Sequence, residues 1–300
     1  MRSQRALTGA GTSLPSQIVD RLIRMADIQP RAGFRLAGLA GVVLGARLGE
    51  AWTPSATELR GLLGSLDERT VARLQRRIAS REVRNRALLF VLRRSGSERI
   101  LPLVQIRGAD SFLRHQAENR PTIVVFWHMG AARSVETAVA KLGCSVLCAS
   151  IQSPPGPDPG FRRLPVSNAA SGTRFLMEAL RELKRGGVPV LAVDGPGGKS
   201  RRTPFLGRSL PVPTGVSALA RMAGARIVPA TSRWVGASSA IEVNLHDPLP
   251  DPVANLATPE EWEHELAVSA MRWFEHHLRT HPEDLRPLNI RRCLHPASAP

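Results

Sequence analysis

Three hundred residues, 43% hydrophobic and 22% charged, describe a globular chain long enough to bury one large α/β core or two ordinary ones. The 41 Lys and Arg against 25 Asp and Glu leave a formal net charge of +16, which points to an anionic partner: nucleic acid, an anionic membrane surface, or acidic substrates and carrier proteins. Three cysteines, Cys144, Cys148 and Cys293, are too few and too poorly spaced for a disulfide framework or a zinc site. The opening MRSQRALTGAGTSLPSQ lacks the apolar stretch of a secretory signal.

In chain order, Ile18–Ile28 carries a mixed apolar helical face, and Pro30 separates it from LAGLAGVVLGA at Leu36–Ala46, flanked by Arg35 and Arg47. Eleven apolar residues cannot span a bilayer core, which needs about 20 as a helix, so the stretch lies in an interface or packs as a buried helix. Leu59–Leu92 repeats Leu and Val at helical spacing among arginines, giving one amphipathic basic helix or a pair. Those arginines suit acidic headgroups or an acidic carrier, or form an ordinary solvated face.

From residue 100 strands and helices alternate. The pattern predicts strands over 101–108, Thr122–Trp127, 145–150, 188–194, 225–234 and Ile241–Leu245. Helices are predicted at Ala109–Asn119, Ala131–Leu142, Ala169–Arg185, from the Thr214 cap to Gly224, and at Pro259–His281. Gln152–Gly160 and the Gly/Arg/Pro-rich stretch before Pro213 read as loops, and the tail as irregular. This predicts an α/β fold, a central mostly parallel sheet flanked by helices, with an N-terminal helical segment facing a membrane. The organisation expected is a helical segment at 1–60, an α/β domain at 61–290 and an irregular tail at 291–300.

Two stretches invite chemistry. PTIVVFWHMG is a run of apolar residues that ends on His128, at the carboxyl end of a strand, where open α/β sheets bind ligands. A structural, hydrogen-bonded histidine is the bland alternative. VPVLAVDGPGGKSRRTPFL matches a nucleotide P-loop poorly, because GxxxxGK[ST] puts glycine where Val193 stands and Pro204 interrupts the helix that should follow. Exposed backbone N–H groups with Lys199, Arg201 and Arg202 still suit an anion cradle beside a strand end, with Asp194 placed to orient an arginine or the loop backbone, or simply to cap the turn. No GxSxG elbow exists, and His276, His277 and His281 lack an accompanying HExxH pattern, so no metal site is expected. Tyrosine is absent and aromatics are sparse, which removes the stacking platforms of single-strand nucleic-acid binders.

An apolar strand ending in HMG, then VDGPGG…R…PFLG, then a helix leading into GARIVPA, resembles the bacterial lipid A/lysophospholipid acyltransferase superfamily. The stretch FEHHLRTHPEDL resembles the terminal helix and Pro-Glu turn of its lipid A branch. The resemblance spans roughly residues 60–290 at the level of pattern. It implies an enzyme on the cytoplasmic side of the inner membrane, peripheral or monotopic, that moves an acyl chain from acyl-carrier protein or acyl-CoA to a lipid or glycolipid without a cofactor. In that family the histidine belongs to H-x4-[D/E], and it deprotonates the acceptor hydroxyl while the acid orients it. His128 matches the base. Position 133, where the acid belongs, is Arg133, and LRPLNIRRCL lacks the expected tryptophan–histidine pairing. Glu136, three residues beyond 133, is the expected substitute. A carboxylate from elsewhere, a histidine acting alone, or a catalytically inactive fold that binds lipid or a carrier partner are the alternatives. By resemblance, Asp194, Gly195, Lys199, Arg201 and Arg202 fall where the acceptor's phosphate or polar head binds. Arg162 and Arg174 are further candidates for that role, with no motif behind them.

Overall fold

The computed structural model describes residues 14–50, 52–118, 120–150, 161–166, 169–194, 199–252 and 258–294. Four helices come first: α1 (Leu14–Ile28), α2 (Pro30–Leu44), α3 (Ala56–Leu63) and α4 (Glu68–Ser95). The periodic basic segment is thus a pair of helices. Its break is chemical: Ser55 and Glu58 form a capping box on α3, Gly64 ends it, and the Asp67 carboxylate caps α4 at Thr70.

Strands and helices then alternate as β1 (Val104–Arg107), α5 (Ala109–Ala117), β2 (Thr122–Phe126), α6 (Ser134–Lys141), β3 (Val146–Ser150), β4 (Phe161–Pro165), α7 (Ala169–Lys184) and β5 (Val188–Ala192). A hairpin of β6 (Ser200–Phe205) and β7 (Arg208–Pro213) follows, then α8 (Gly215–Ala223), β8 (Arg226–Trp234), β9 (Ile241–Leu245), α9 (Pro259–Thr280) and α10 (Pro287–Leu294). The main sheet has seven strands in the order β1-β9-β8-β2-β5-β3-β4, parallel throughout except between β8 and β9. The α/β expectation, a mostly parallel sheet flanked by helices, describes what is seen. No helix among the described residues is long and apolar enough to cross a membrane.

Alternation along β2 divides the core. Ile123, Val125 and Trp127 join the cluster under α7, α8 and α9, whereas Val124 and Phe126 join the cluster under α6, which also holds Val19, Ile23 and Phe34 from α1 and α2. Parallel crossovers are right-handed, so the direction of travel across the sheet dictates the face. The chain leaving β2 moves toward β3 and puts α6 on one face. The chain leaving β5 moves the other way, toward β8, and puts α8 on the opposite face. A crevice therefore opens between the carboxyl ends of β2 and β5, the topological switch point of the sheet.

Three elements depart from the sequence reading. The Arg- and Pro-rich stretch after 199 is the hairpin: Thr203 and Phe205 alternate inward, paired with Leu210 and Arg208, and Phe205 packs edge-on against Trp127 at 4.3 Å. Its prolines are tolerated because a two-stranded ribbon leaves outward groups without ladder partners. β4 adds a strand at Phe161–Pro165 that no periodicity announced. The tail, expected to be irregular, is helical in α10, begun by Pro287 and buried through Asn289, Ile290 and Cys293. Gln152–Gly160 lies outside the described residues.

Candidate active site

The register between β2 and β5 pairs Val124 with Val190, Val125 with Leu191 and Phe126 with Ala192. Val193 N–H continues the ladder to the Phe126 carbonyl at 2.9 Å. Carried two residues further, the same offset sets His128 opposite Asp194, each the first ionisable residue after an apolar strand. The side chains meet: His128 Nδ1 lies 2.8 Å from Asp194 Oδ1. The His128 backbone N–H also donates to both carboxylate oxygens, at 3.2 and 3.3 Å. A carboxylate only accepts, so the ring donates from Nδ1 and its lone pair resides on Nε2.

Asn289 of α10 closes the arrangement. Its Nδ2 donates to the His128 carbonyl at 2.7 Å and to Asp194 Oδ2 at 3.3 Å. The negative charge on Asp194 is felt around it. Burial alone would lower the Arg286 guanidinium, but the Glu82 carboxylate, its hydrogen bonds and the charge of Asp194 hold it above its ordinary value. Burial, reinforced by Asp194, pushes the Cys293 thiol up to about 12. α10 itself is anchored by a two-point contact of Arg286 with Glu82 of α4, at 2.9 and 3.1 Å, and by Arg291 on Glu58 of α3 at 2.9 Å.

The turn after His128 has its own support. Gly130 adopts φ +51, and a Cβ there would collide with the Ser232 carbonyl on β8, so only glycine fits. Its N–H donates to the Asp284 carbonyl at 2.9 Å. The Asp284 carboxylate, fully buried, accepts from Arg81 and lies 3.1 Å from His277 Nε2. His277 thus belongs to a structural contact, next to a row of rings formed by His246, Trp273 and His281.

The expectation that Glu136 orients His128 is corrected. Glu136 is buried on α6 with Arg133 Nη1 at 3.1 Å on one oxygen and Arg163 Nη2 at 3.6 Å on the other. Its three-residue spacing from 133 holds it on Arg133, and its charge serves to compensate two arginines. Asp194, expected to orient an arginine or the loop backbone and to lie with the acceptor's polar head, has the His128 ring as its partner. The anion cradle is divided by the hairpin's alternation. Arg201 shares the inner side with Thr203 and Phe205, whereas Arg202 faces outward with Nη1 3.4 Å from the Ser209 carbonyl. Lys199 is exposed and its carbonyl accepts from the Thr214 N–H at 3.1 Å. Gly195 lies outside the described residues. Arg162 is engaged by Glu178 at 2.5 Å and Glu182 at 3.8 Å, and Arg174 is exposed on α7.

Asn289 escaped the sequence reading altogether, since an asparagine in LNIRR carries no motif. Asp194 did leave a signal: TIVVFW-His and VPVLAV-Asp are two equally long apolar runs, each stopping on a titratable residue. No protein-family model matches the chain, and no match to a curated protein was found.

Proposed function

We propose that the protein is an acyltransferase in which His128 is the general base and Asp194 the carboxylate that orients it. The observation carrying this reading is the 2.8 Å contact between His128 Nδ1 and Asp194 Oδ1 at the switch point of the sheet. With Nδ1–H held by the carboxylate, Nε2 accepts the proton of an acceptor hydroxyl as its oxygen attacks the thioester carbonyl carbon. The tetrahedral oxyanion collapses, the C–S bond breaks, and the imidazolium returns its proton to the departing thiolate. Asp194 stabilises the imidazolium throughout. Acyl-carrier protein or acyl-CoA is the donor, a lipid or glycolipid the acceptor, and the cytoplasmic face of an anionic inner membrane the place of work. The charge of +16 supports an acidic donor and surface.

The test is transfer of a labelled acyl chain by purified protein to a panel of lysolipids and glycolipids. Wild type transfers label, and His128→Ala reduces kcat by about 10²- to 10⁴-fold. A His128→Ala variant as active as wild type sinks the proposal. One observation favours a second reading, a catalytically inactive lipid- or carrier-binding protein: Arg133 stands in the acid's position, ion-paired to Glu136. Wild type that binds vesicles but transfers nothing to any acceptor selects it.

A further inference from the structure

The outer surface of α2 and the first half of α4 form one two-level surface. α2 carries no acidic residue, and its exposed arc holds Leu36, Leu39, Val42 and Val43, with Arg31 and Arg35 on the Val42 side of it toward the start of the helix. Leu39 is 56% and Val43 74% exposed, high values for aliphatic side chains that nothing in the chain covers among the described residues. Beneath, α2 runs antiparallel to α4 in very close approach. A Cβ on Gly38 would strike Arg84, one on Gly41 the Ser80 backbone, and one on Gly45 the Ala79 side chain.

Those contacts fix which face of α4 lies under α2: the line through Ser80 and Arg84. Continued toward the start of α4 at helical spacing, the same line passes through Arg76, Arg73 and Arg69. α2 has ended by then, at Gly45–Arg47, so these arginines emerge as an exposed shelf, with Arg47 at the step. The acids of the first turn of α4 are occupied, Asp67 in capping Thr70 and Glu68 on Arg60.

We infer that this surface docks on an anionic lipid bilayer, with the apolar face of α2 inserted and the arginine shelf of α4 at the headgroups. The levels match. Helices packed through glycine lie about 8 Å apart, so the aliphatic face of α2 stands about that far beyond the arginines. In-plane helices bury their apolar face about 5–10 Å below the headgroup boundary, which leaves the shelf at phosphate level. An acidic carrier protein would meet the shelf equally well by charge but has no use for four protruding aliphatics beside it. The flank of the shelf also reaches the active site. Arg77 lies 4.0 Å from Glu283, Arg81 holds Asp284, and the Asp284 carbonyl holds Gly130, two residues past His128. The inference deepens the acyl-transfer reading, on which it rests only for why a lipid surface should adjoin this site.

The full chain is to be sedimented with vesicles of phosphatidylcholine alone and mixed with phosphatidylglycerol, at low and high salt. Wild type binds the mixed vesicles, more weakly in high salt. Leu39→Glu with Val43→Glu lowers binding at least tenfold. Because each arginine near an anionic surface is worth roughly a fivefold change in partition, Arg69→Gln, Arg73→Gln and Arg76→Gln together lower it about a hundredfold. A fluorophore on Val43→Cys shifts to the blue with mixed vesicles, which reports insertion without a destabilising change. Unchanged vesicle binding by both variants overturns the inference. So does an acidic carrier retained through the shelf when vesicle binding ignores Leu39 and Val43. His128→Ala keeps the chemistry separate: it binds vesicles as wild type does. Vesicle binding without any transfer defeats only the acyl-transfer reading, and transfer to a soluble short-chain acceptor without vesicle binding defeats only the docking.

Discussion

His128 and Asp194 each stand two residues past the end of neighbouring parallel strands, so the register of the ladder between β2 and β5 sets them opposite one another, with Nδ1 2.8 Å from Oδ1. Neither depends on a flexible loop for its placement up to the strand end. Asp194→Asn keeps the shape of the carboxylate but offers an N–H or a weaker carbonyl to the ring, which favours the wrong tautomer. Its expected effect is a fall in kcat of about a hundredfold or more with little change in KM, read by initial-rate kinetics with saturating donor.

Asn289 is a positioning residue: it bridges the His128 carbonyl and Asp194 Oδ2 without a role in proton transfer. Asn289→Ala loosens the pair and lowers kcat by about ten- to a hundredfold at constant KM. If KM rises instead with kcat preserved, Asn289 belongs to substrate binding.

Glu136 compensates Arg133 and Arg163, while the carboxylate on the His128 ring is that of Asp194. Glu136→Gln leaves two guanidinium groups sharing a neutral partner in a largely buried place, at a cost of about 2–4 kcal/mol. Urea unfolding should show that loss while turnover per folded molecule is retained. A collapse of turnover with stability intact would return Glu136 to the active site.

Thr203 points inward from the hairpin, fully buried, and its hydroxyl finds no hydrogen-bond partner among the described residues. Thr203→Val removes that hydroxyl at constant shape and should stabilise the fold by about 1 kcal/mol, seen as a higher urea midpoint.

His246 sits after β9 with its ring 4.2 Å from Trp273, and burial followed by the charge of His277 lowers it to about 4. The unfolded chain titrates this histidine at about 6.5. Between those values the unfolded state binds the extra proton, so stability falls as pH drops from about 6.5 to 4. The group is partly exposed, and solvent screening reduces the effect to the order of 1–2 kcal/mol. His246→Gln, which retains a partner for Thr231, should flatten this part of the stability curve relative to wild type. Equal slopes in both proteins would disprove it.

Much of this architecture could be read along the chain. Buried parallel strands write themselves as apolar runs and amphipathic helices as periodicity, whereas caps are less legible: Thr214 precedes its helix without a side-chain capping bond, and Asp67 and Thr258 do cap theirs. β6 and β7 could not be read so easily, because Arg201, Arg202 and three prolines mask an alternation that only burial against Trp127 and α9 reveals.

The sequence by itself determined that His128 and Asp194 each end an apolar strand, because local hydrophobic pattern decides where a buried strand stops. Only the tertiary structure decided that those two strands are neighbours and in register, since pairing across 66 residues is settled by packing of the whole sheet. It also decided that Glu136, near in sequence, is drawn to Arg133 and Arg163, and that Asn289 arrives from the last described helix. Proximity along the chain favoured one carboxylate, and the strand ladder supplied another.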